Sequence, residues 1–357
     1  MAARLPAWAR LPSWARLPAW ARHPAARVTN LSLLTALLLA FATGIGAVAT
    51  GSARGRWVVV AHGVAAVLVV LLVPWKTRVA RTGLRRARPT RWLSLALAVL
   101  AVAVLAFGFG YATGAVRSVA GLPGLWVHVA AALVLVPLAV WHVAARRAPL
   151  RRTDLSRRTL LRSGTLLAAA GALYAAVDVA VRVTGLPGGR RRFTGSYETG
   201  SFTPDAMPVT IWLLDPVPVV SAPDWQLSIL DGLGRYSLRL GELPPPMTRR
   251  ALLDCTSGWY AEQDWTGVPV RSLLREVGSA RSLLVHSVTG YWVRLPLTDL
   301  DGLLLATGVG DGPLSYGHGY PLRLVAPGRR GYWWVKWVDR VELRSTPWWW
   351  QPPFPVG

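Results

Sequence analysis

Hydrophobic and polar positions divide the chain into two regimes. Through residue 183, apolar residues come in long runs: residues 31–50, 57–75, 92–112, 125–144 and 165–183, the last interrupted by Asp178 and Arg182. Each run approaches the ~20 residues that a helix needs to cross a bilayer. Beyond residue 184 no such run occurs. Short alternating stretches appear instead, at residues 225–230, 236–240, 283–288 and 291–295, separated by turn residues. Alternation of period two marks half-buried strands. The pattern therefore predicts an N-terminal all-α bundle of five spans, followed by a mostly β, α+β domain with a few short helices, one over residues 270–277.

Charge gives the spans a direction. Lys76, Arg78, Arg81, Arg85, Arg86, Arg88 and Arg91 lie between the second and third runs. Arg146, Arg147, Arg151, Arg152, Arg157 and Arg158 lie between the fourth and fifth, whereas the other two connections carry only Arg54, Arg56 and Arg117. Basic connections stay cytoplasmic. The expectation is a multi-pass protein of the cytoplasmic (inner) membrane, with its N-terminus inside and its C-terminal domain extracytoplasmic. The same placement accounts for most of the net charge of +23 and disfavours a nucleic-acid partner. A mean hydropathy of +0.35 agrees with contact to membrane lipid.

Four segments follow: residues 1–26, 27–150, 151–185 and 186–357. In the first, RLPAWA, RLPSWA and RLPAWA repeat in tandem. Proline in every unit forbids a continuous helix, so the segment reads as a disordered basic arm, or as a strip lying on anionic lipid. In the third, Ser156-Arg157-Arg158-Thr159-Leu160-Leu161-Arg162 precedes an apolar stretch and resembles the twin-arginine export motif. That route carries folded domains, so a cofactor could be inserted before export.

The chemistry concentrates in two stretches. One is Leu252-Leu253-Asp254-Cys255-Thr256-Ser257-Gly258-Trp259, followed by Trp265-Thr266-Gly267-Val268. The other is His318-Gly319-Tyr320-Pro321-Leu322-Arg323, running through Pro327-Gly328 and Gly331 to Val335-Lys336-Trp337. Cys255 is the chain's single cysteine, so no intrachain disulfide exists. It is either a core residue or a soft thiolate for a transition metal. His318, Arg323 and Lys336 could converge on an anion such as a phosphate.

Taken together, these stretches resemble the sulfite-oxidase-type molybdopterin domain over about residues 190–345. In that family a strand-end cysteine binds molybdenum and a W-x-G-V segment follows. An H-G-x-P-x-R motif and a P-G-x-x-G…V-K-W segment hold the pterin and its phosphate. Arg192-Phe193-Thr194-Gly195-Ser196 is similar to the start of such domains in membrane-anchored relatives. The resemblance implies a molybdopterin (Mo) oxidoreductase with Cys255 as molybdenum ligand and Arg323 as a catalytic and cofactor-binding residue. It implies that Ser257, His318, Gly331 and Lys336 also bind the cofactor. With the chain ending at Gly357, it looks like the periplasmic sulfoxide-reductase branch, which lacks a C-terminal dimerisation domain. Sulfite oxidases carry basic residues just after the cysteine; here Gly258, Trp259 and Tyr260 stand there. Trp259, Tyr260 and Trp265 then suggest an apolar-walled mouth for a small neutral or organic substrate such as a sulfoxide. Sulfite oxidation, and a metal-free envelope binding module, are the alternatives.

Three histidines fall within the apolar runs: His62, His128 and His142. Ionisable groups in a bilayer are functional candidates. His62 and His128 sit near the same edge of their spans, a placement suited to the two axial positions of a haem b. His142 follows His128 by 14 residues, about 21 Å of helical rise and nearly the same face. This resembles two-haem b-type cytochromes, although Lys76 occupies the position where an inner haem needs a partner for His142. A haem relay implies exchange with the membrane quinone pool.

Overall fold

A computed structural model describes residues 26–84, 90–145, 151, 154, 156–211 and 216–352. The N-terminal repeat before residue 26, and Arg85, Arg86, Arg88, Arg146, Arg147 and Arg152 of the basic connections, lie outside the described residues.

Five helices occupy the apolar runs: α1 (Ala26–Ala49), α2 (Arg56–Leu84), α3 (Arg91–Thr113), α4 (Gly124–Ala145) and α5 (Arg157–Val183). All five are long and apolar enough to cross a membrane. Their outer faces keep large apolar side chains uncovered, with Leu38, Val99, Val102 and Leu133 between 61% and 66% exposed. Such faces have no driving force to remain bare in water.

The chain divides into two compact units. The first comprises the described residues through Thr43, with Val60–Leu105 and Ala131–Ala180. Its small core is built by Ala36, Val69 and Leu72, against which Leu33, Leu68, Leu105 and Leu166 pack. Tyr174 presses so close to Gly63 that a Cβ there would lie 2.2 Å from its ring. Arg27 forks onto Asp154 through two hydrogen bonds of 2.8 and 2.6 Å. That bond and the Arg151 amide hold the Asp154 carboxyl down at about 2.

The second unit takes in Gly44–Val59, Ala106–Ala130 and the chain from Val181 onward. The loop between α3 and α4 carries a small hairpin, β1 (Ser118–Val119) with β2 (Leu122–Pro123). Two sheets dominate the unit. One centres on β7 (Trp259–Pro269), paired antiparallel with β6 (Met247–Asp254) and β10 (Leu304–Val309) and parallel with β3 (Tyr197–Glu198). β11 (Gly312–Pro313) and β12 (Arg323–Val325) pair with β10. The other runs β5 (Gly234–Arg239), β4 (Gln226–Asp231), β13 (Val338–Arg344), β8 (Ser282–Ser287), β9 (Trp292–Pro296), with β13 and β4 parallel. Strict alternation along β7 buries Trp259, Ala261, Gln263 and Trp265 on one face. The four stretches expected to be strands all form strands.

The helix expected over residues 270–277 is instead a single 3-10 turn, Val270–Leu273. Leu274 is extended, and the Arg275 amide donates to the Asp231 carboxylate at 3.0 Å, away from any carbonyl one turn back. The Arg275 side chain grips the same carboxylate with two bonds of 2.9 Å. From residue 184 on, all helical turns among the described residues are short 3-10 turns, and none is α-helical.

Candidate molybdopterin site

Cys255 follows the last residue of strand β6 and opens the tight turn into β7. Its amide donates to the Trp259 carbonyl at 2.8 Å, and the Gly258 amide donates back to the Cys255 carbonyl at 3.2 Å. The turn requires φ = +95° at Gly258, which only glycine adopts without strain. Cys255 is buried, with its Sγ 3.1 Å from the Ser257 hydroxyl. Ser257 Oγ in turn lies 3.3 Å from Thr210 Oγ1, and that hydroxyl accepts the indole N–H of Trp259 at 3.1 Å.

Asp254, one residue earlier, anchors this turn. Its carboxylate accepts from Ser196 Oγ at 2.6 Å, Thr194 Oγ1 at 2.8 Å, Arg192 Nε at 3.1 Å and Arg330 at 2.6 Å. Arg330, 1% exposed, spends a second nitrogen on the Cys255 carbonyl at 3.1 Å. Gly331 follows, and a Cβ there would stand 3.0 Å from Cys255 Cα. The segment 192–196 is thus tied to the cysteine across about sixty residues of chain.

The second motif brings two cations beside the cysteine. Arg323, 3% exposed, donates to the His318 carbonyl at 3.0 Å and rests against the touching rings of Trp265 and Trp334. Its Nε has no hydrogen-bond partner among the described residues. Lys336 donates to the Thr210 carbonyl at 2.8 Å. Backbones converge so tightly that a Cβ on Gly319 would meet Lys336 at 3.1 Å and Arg323 at 3.2 Å.

Burial pushes Arg323 down to about 10, with Cys255 opposing the shift. Burial, then repulsion from Arg323, pushes Lys336 down to about 7, again opposed by Cys255. His318 falls to about 4, by burial and by the charges of Arg323 and Lys336. The His318 ring is therefore neutral near pH 7: Nε2 donates to the Met207 carbonyl at 3.1 Å, and Nδ1 accepts from Ser315 Oγ at 2.8 Å. With both nitrogens taken by protein partners, His318 offers the site its carbonyl, which aims Arg323.

Trp265 does not line a mouth. It is fully buried, with its indole N–H on the Ala251 carbonyl and its ring against Trp334. Tyr260 points to the opposite face of β7 from Trp259 and lies under Arg192. Among these aromatics, Trp259 alone joins the Thr210–Ser257 pair. Thr210, Asp254 and Arg330 were not picked out from sequence. A carboxylate inside the apolar strand end Leu252-Leu253-Asp254-Cys255 was the available signal for Asp254, since a buried charge demands partners.

The three histidines of the apolar helices fall in different units. His62 and His142 belong to the first, and His128 to the second, where its ring abuts Gly108 at 3.0 Å from an ideal Cβ. His62 Nδ1 lies 2.9 Å from the Ala40 carbonyl.

Residues 214–349 match the family model described as oxidoreductase molybdopterin binding domain. This region is a molybdopterin-binding oxidoreductase domain of the sulfite-oxidase type. The mitochondrial sulfite oxidase of Drosophila melanogaster is 27% identical over 163 residues, 36% of this chain and 28% of that protein. Nitrate reductase [NADPH] of Mycosarcoma maydis is 52% identical over 42 residues, 12% of this chain and 4% of that one. Among solved structures, the sulfane dehydrogenase SoxCD of Paracoccus pantotrophus gives a TM-score of 0.35 at 25% identity, covering 36% of this chain and 40% of that one. The chain spans less than a third of the curated relatives it matches.

The residues of the molybdopterin domain suit the group it is named for. A buried thiol is a soft metal donor. Arg323 keeps an unsatisfied buried nitrogen, and it and Lys336 are depressed by burial without a carboxylate to compensate them among the described residues, as an anionic cofactor would require. No group of three or more His, Cys, Asp or Glu able to hold a bare ion occurs among the described residues, so a metal at Cys255 must bring ligands of its own.

The buried cations make a pH prediction for cofactor-free protein. Lys336 titrates near 7 when folded and at its ordinary 10.5 when unfolded. The unfolded chain binds more protons between these values, so stability rises with pH across that window, by on the order of 5 kcal/mol. His318 adds a similar rise from about pH 4 to 6.5. Chemical denaturation at pH 7 and pH 10 should show the first rise, and Lys336→Met should flatten it. An equal slope in the variant would assign the effect to other groups.

Proposed function

We propose that the protein is a membrane-anchored molybdenum-dependent oxidoreductase that performs two-electron oxygen-atom transfer outside the cytoplasmic membrane, with a sulfoxide-type substrate favoured. The observation that carries the reading is the buried Cys255 thiol beside two cations, Arg323 and Lys336, without carboxylate partners among the described residues. When bound, the cofactor supplies the two-electron redox chemistry at molybdenum. Cys255 contributes the protein's sulfur ligand, held in place by the Arg330 bond to its carbonyl. Arg323 and Lys336 neutralise the pterin phosphate, and His318 aims Arg323 through its carbonyl. Ser257, with Thr210 beside it, offers hydroxyls at the sulfur. Gly331 lets its loop approach the Cys255 backbone.

The bare apolar faces of the five helices support insertion in a membrane, and the basic connections support an extracytoplasmic molybdopterin domain. The Ser156–Arg162 motif at the start of α5 fits export of the folded domain by the twin-arginine route. Substrate preference rests on Gly258, Trp259 and Tyr260, which bring no cation to the residues after the cysteine. The similarity to a sulfite oxidase favours a second reading, sulfite oxidation with electrons passed inward. Steady-state assays of purified protein with a sulfoxide plus reduced quinone analogue, and with sulfite plus an oxidant, separate the two. Turnover of neither substrate, by protein that holds molybdenum, would exclude both.

A relay through haem b completes the proposal, with His62 and His128 as axial ligands, His142 as a further ligand and the quinone pool as electron partner. An Nδ1 proton donated to a backbone carbonyl, as the His62–Ala40 distance allows, is the contact that orients metal-ligating histidines. His62→Ala is expected to abolish the reduced-haem absorbance band of the purified protein. An unchanged band would remove His62 from the ligand set.

A further inference from the structure

The turn that carries Cys255 is held from a third side, by the end of a helix. Tyr111, in the last turn of α3, donates its phenol to the Gly258 carbonyl at 3.0 Å. The same carbonyl accepts the Tyr197 amide at 2.9 Å. Tyr197 closes the triangle: its own phenol donates to the Tyr111 carbonyl at 2.7 Å, and the two rings meet edge to face at 5.4 Å. Both tyrosines are buried, at 6% exposure each. The fit leaves no slack, because a Cβ on Gly258 would lie 2.1 Å from the Tyr111 oxygen. Arg191 fixes the helix end further by donating to the Ala112 carbonyl at 2.9 Å. All of these residues belong to one compact unit with Cys255.

We propose that Tyr111 is a positioning residue for the Cys255 thiol, so that the end of α3 forms part of the molybdopterin site. Cys255 and Gly258 share a backbone hydrogen bond inside a four-residue turn, so fixing the Gly258 carbonyl fixes the direction of the Cys255 side chain. The Arg330 bond to the Cys255 carbonyl restrains one end of the turn and Tyr111 the other. Removing the phenol hydroxyl leaves that end to the Tyr197 amide alone and so loosens it, while the ring still fills its space. A thiol that must meet a metal at a set angle is sensitive to such play, because placement errors well under 1 Å matter to a metal site.

The description of Cys255 as a metal ligand rests on the function proposed above; its restraint by Tyr111 does not. The chain's single cysteine makes the restraint measurable without cofactor. Full-length, cofactor-free protein in detergent is treated with iodoacetamide, and the alkylation rate reports on Cys255 alone. Tyr111→Phe is expected to react about fivefold faster, the opening equivalent of one neutral hydrogen bond, with little change in the unfolding midpoint. Tyr236→Phe, which loses a bond to the Leu273 carbonyl in the other sheet, should react at the wild-type rate. If Tyr111→Phe does not fold, Tyr197→Phe, which loosens Tyr111 itself, should show a smaller increase. Wild-type rates in the folded tyrosine variants would overturn the proposal, as would equal acceleration in Tyr236→Phe. In molybdenum-loaded protein, Tyr111→Phe should shift the sulfur-to-metal absorption band and lower kcat with KM unchanged; an unmoved band would overturn the role at the metal. Wild-type protein without molybdenum, combined with faster alkylation of Tyr111→Phe, would sink the oxidoreductase reading and leave the restraint standing.

Discussion

Replacing Cys255 with serine is expected to abolish turnover while leaving the molybdopterin domain folded. The Cys255 side chain does little for the fold. The turn is held by the Cys255 amide on Trp259 and by the Cys255 carbonyl, bonded to Gly258 and Arg330. A serine hydroxyl fits the same space and can bond Ser257, so the unfolding midpoint should move little. The expected loss is chemical. Losing a residue one step removed from a metal costs about 10- to 100-fold, so losing the ligand itself should exceed 100-fold. Arg323 and Lys336 are untouched in this variant, so much of the cofactor is expected to stay bound. Metal analysis, turnover and thermal unfolding of the same preparation check all three points. Turnover within tenfold of wild type would show that Cys255 is not the metal ligand.

Removing Arg330 is expected to cost the most stability of any single change near the site. Arg330 and Asp254 form a salt bridge at 2.6 Å with side-chain exposures of only 1% and 3%. Breaking a buried pair by removing one partner typically costs about 3–5 kcal/mol, because the other charge stays buried. Arg330→Met leaves Asp254 with Arg192, Thr194 and Ser196, of which Arg192 alone carries charge and sits nearer solvent. A fall in the unfolding midpoint of roughly 10 °C follows for a domain of this size. The Cys255 carbonyl also loses its Arg330 bond, so alkylation of the cysteine should accelerate in parallel. Asp254→Asn combined with Arg330→Met should be less damaging than the two losses added, since the stranded charge disappears. A cost below 1 kcal/mol for Arg330→Met would show that the network is not what holds the turn.

Much of the architecture was legible because it rests on local periodicity. The five helices follow from apolar runs, and strands such as β8 and β9 from alternation around the turn at Thr289-Gly290. The expected helix at residues 270–277 failed for a reason outside its own segment, the Asp231 carboxylate that captures the Arg275 amide. Of the three aromatics expected to wall a mouth, Trp259 stays beside Ser257, whereas β7 alternation turns Tyr260 to the other face and Arg323 and Trp334 close over Trp265.

By itself, the sequence determined the candidates for chemistry: the lone cysteine at a strand end and the histidine, arginine and lysine of the second motif. Short-range spacing and side-chain type suffice for that. Which of them meet, and what holds them, was decided only by the tertiary structure. Thr210 beside Ser257, Arg330 on the Cys255 carbonyl, Ser196 on Asp254 and Tyr111 on Gly258 join positions 47 to 147 residues apart. Nothing in the local sequence marks such partners, because each is an ordinary polar residue until burial obliges it to find a hydrogen bond.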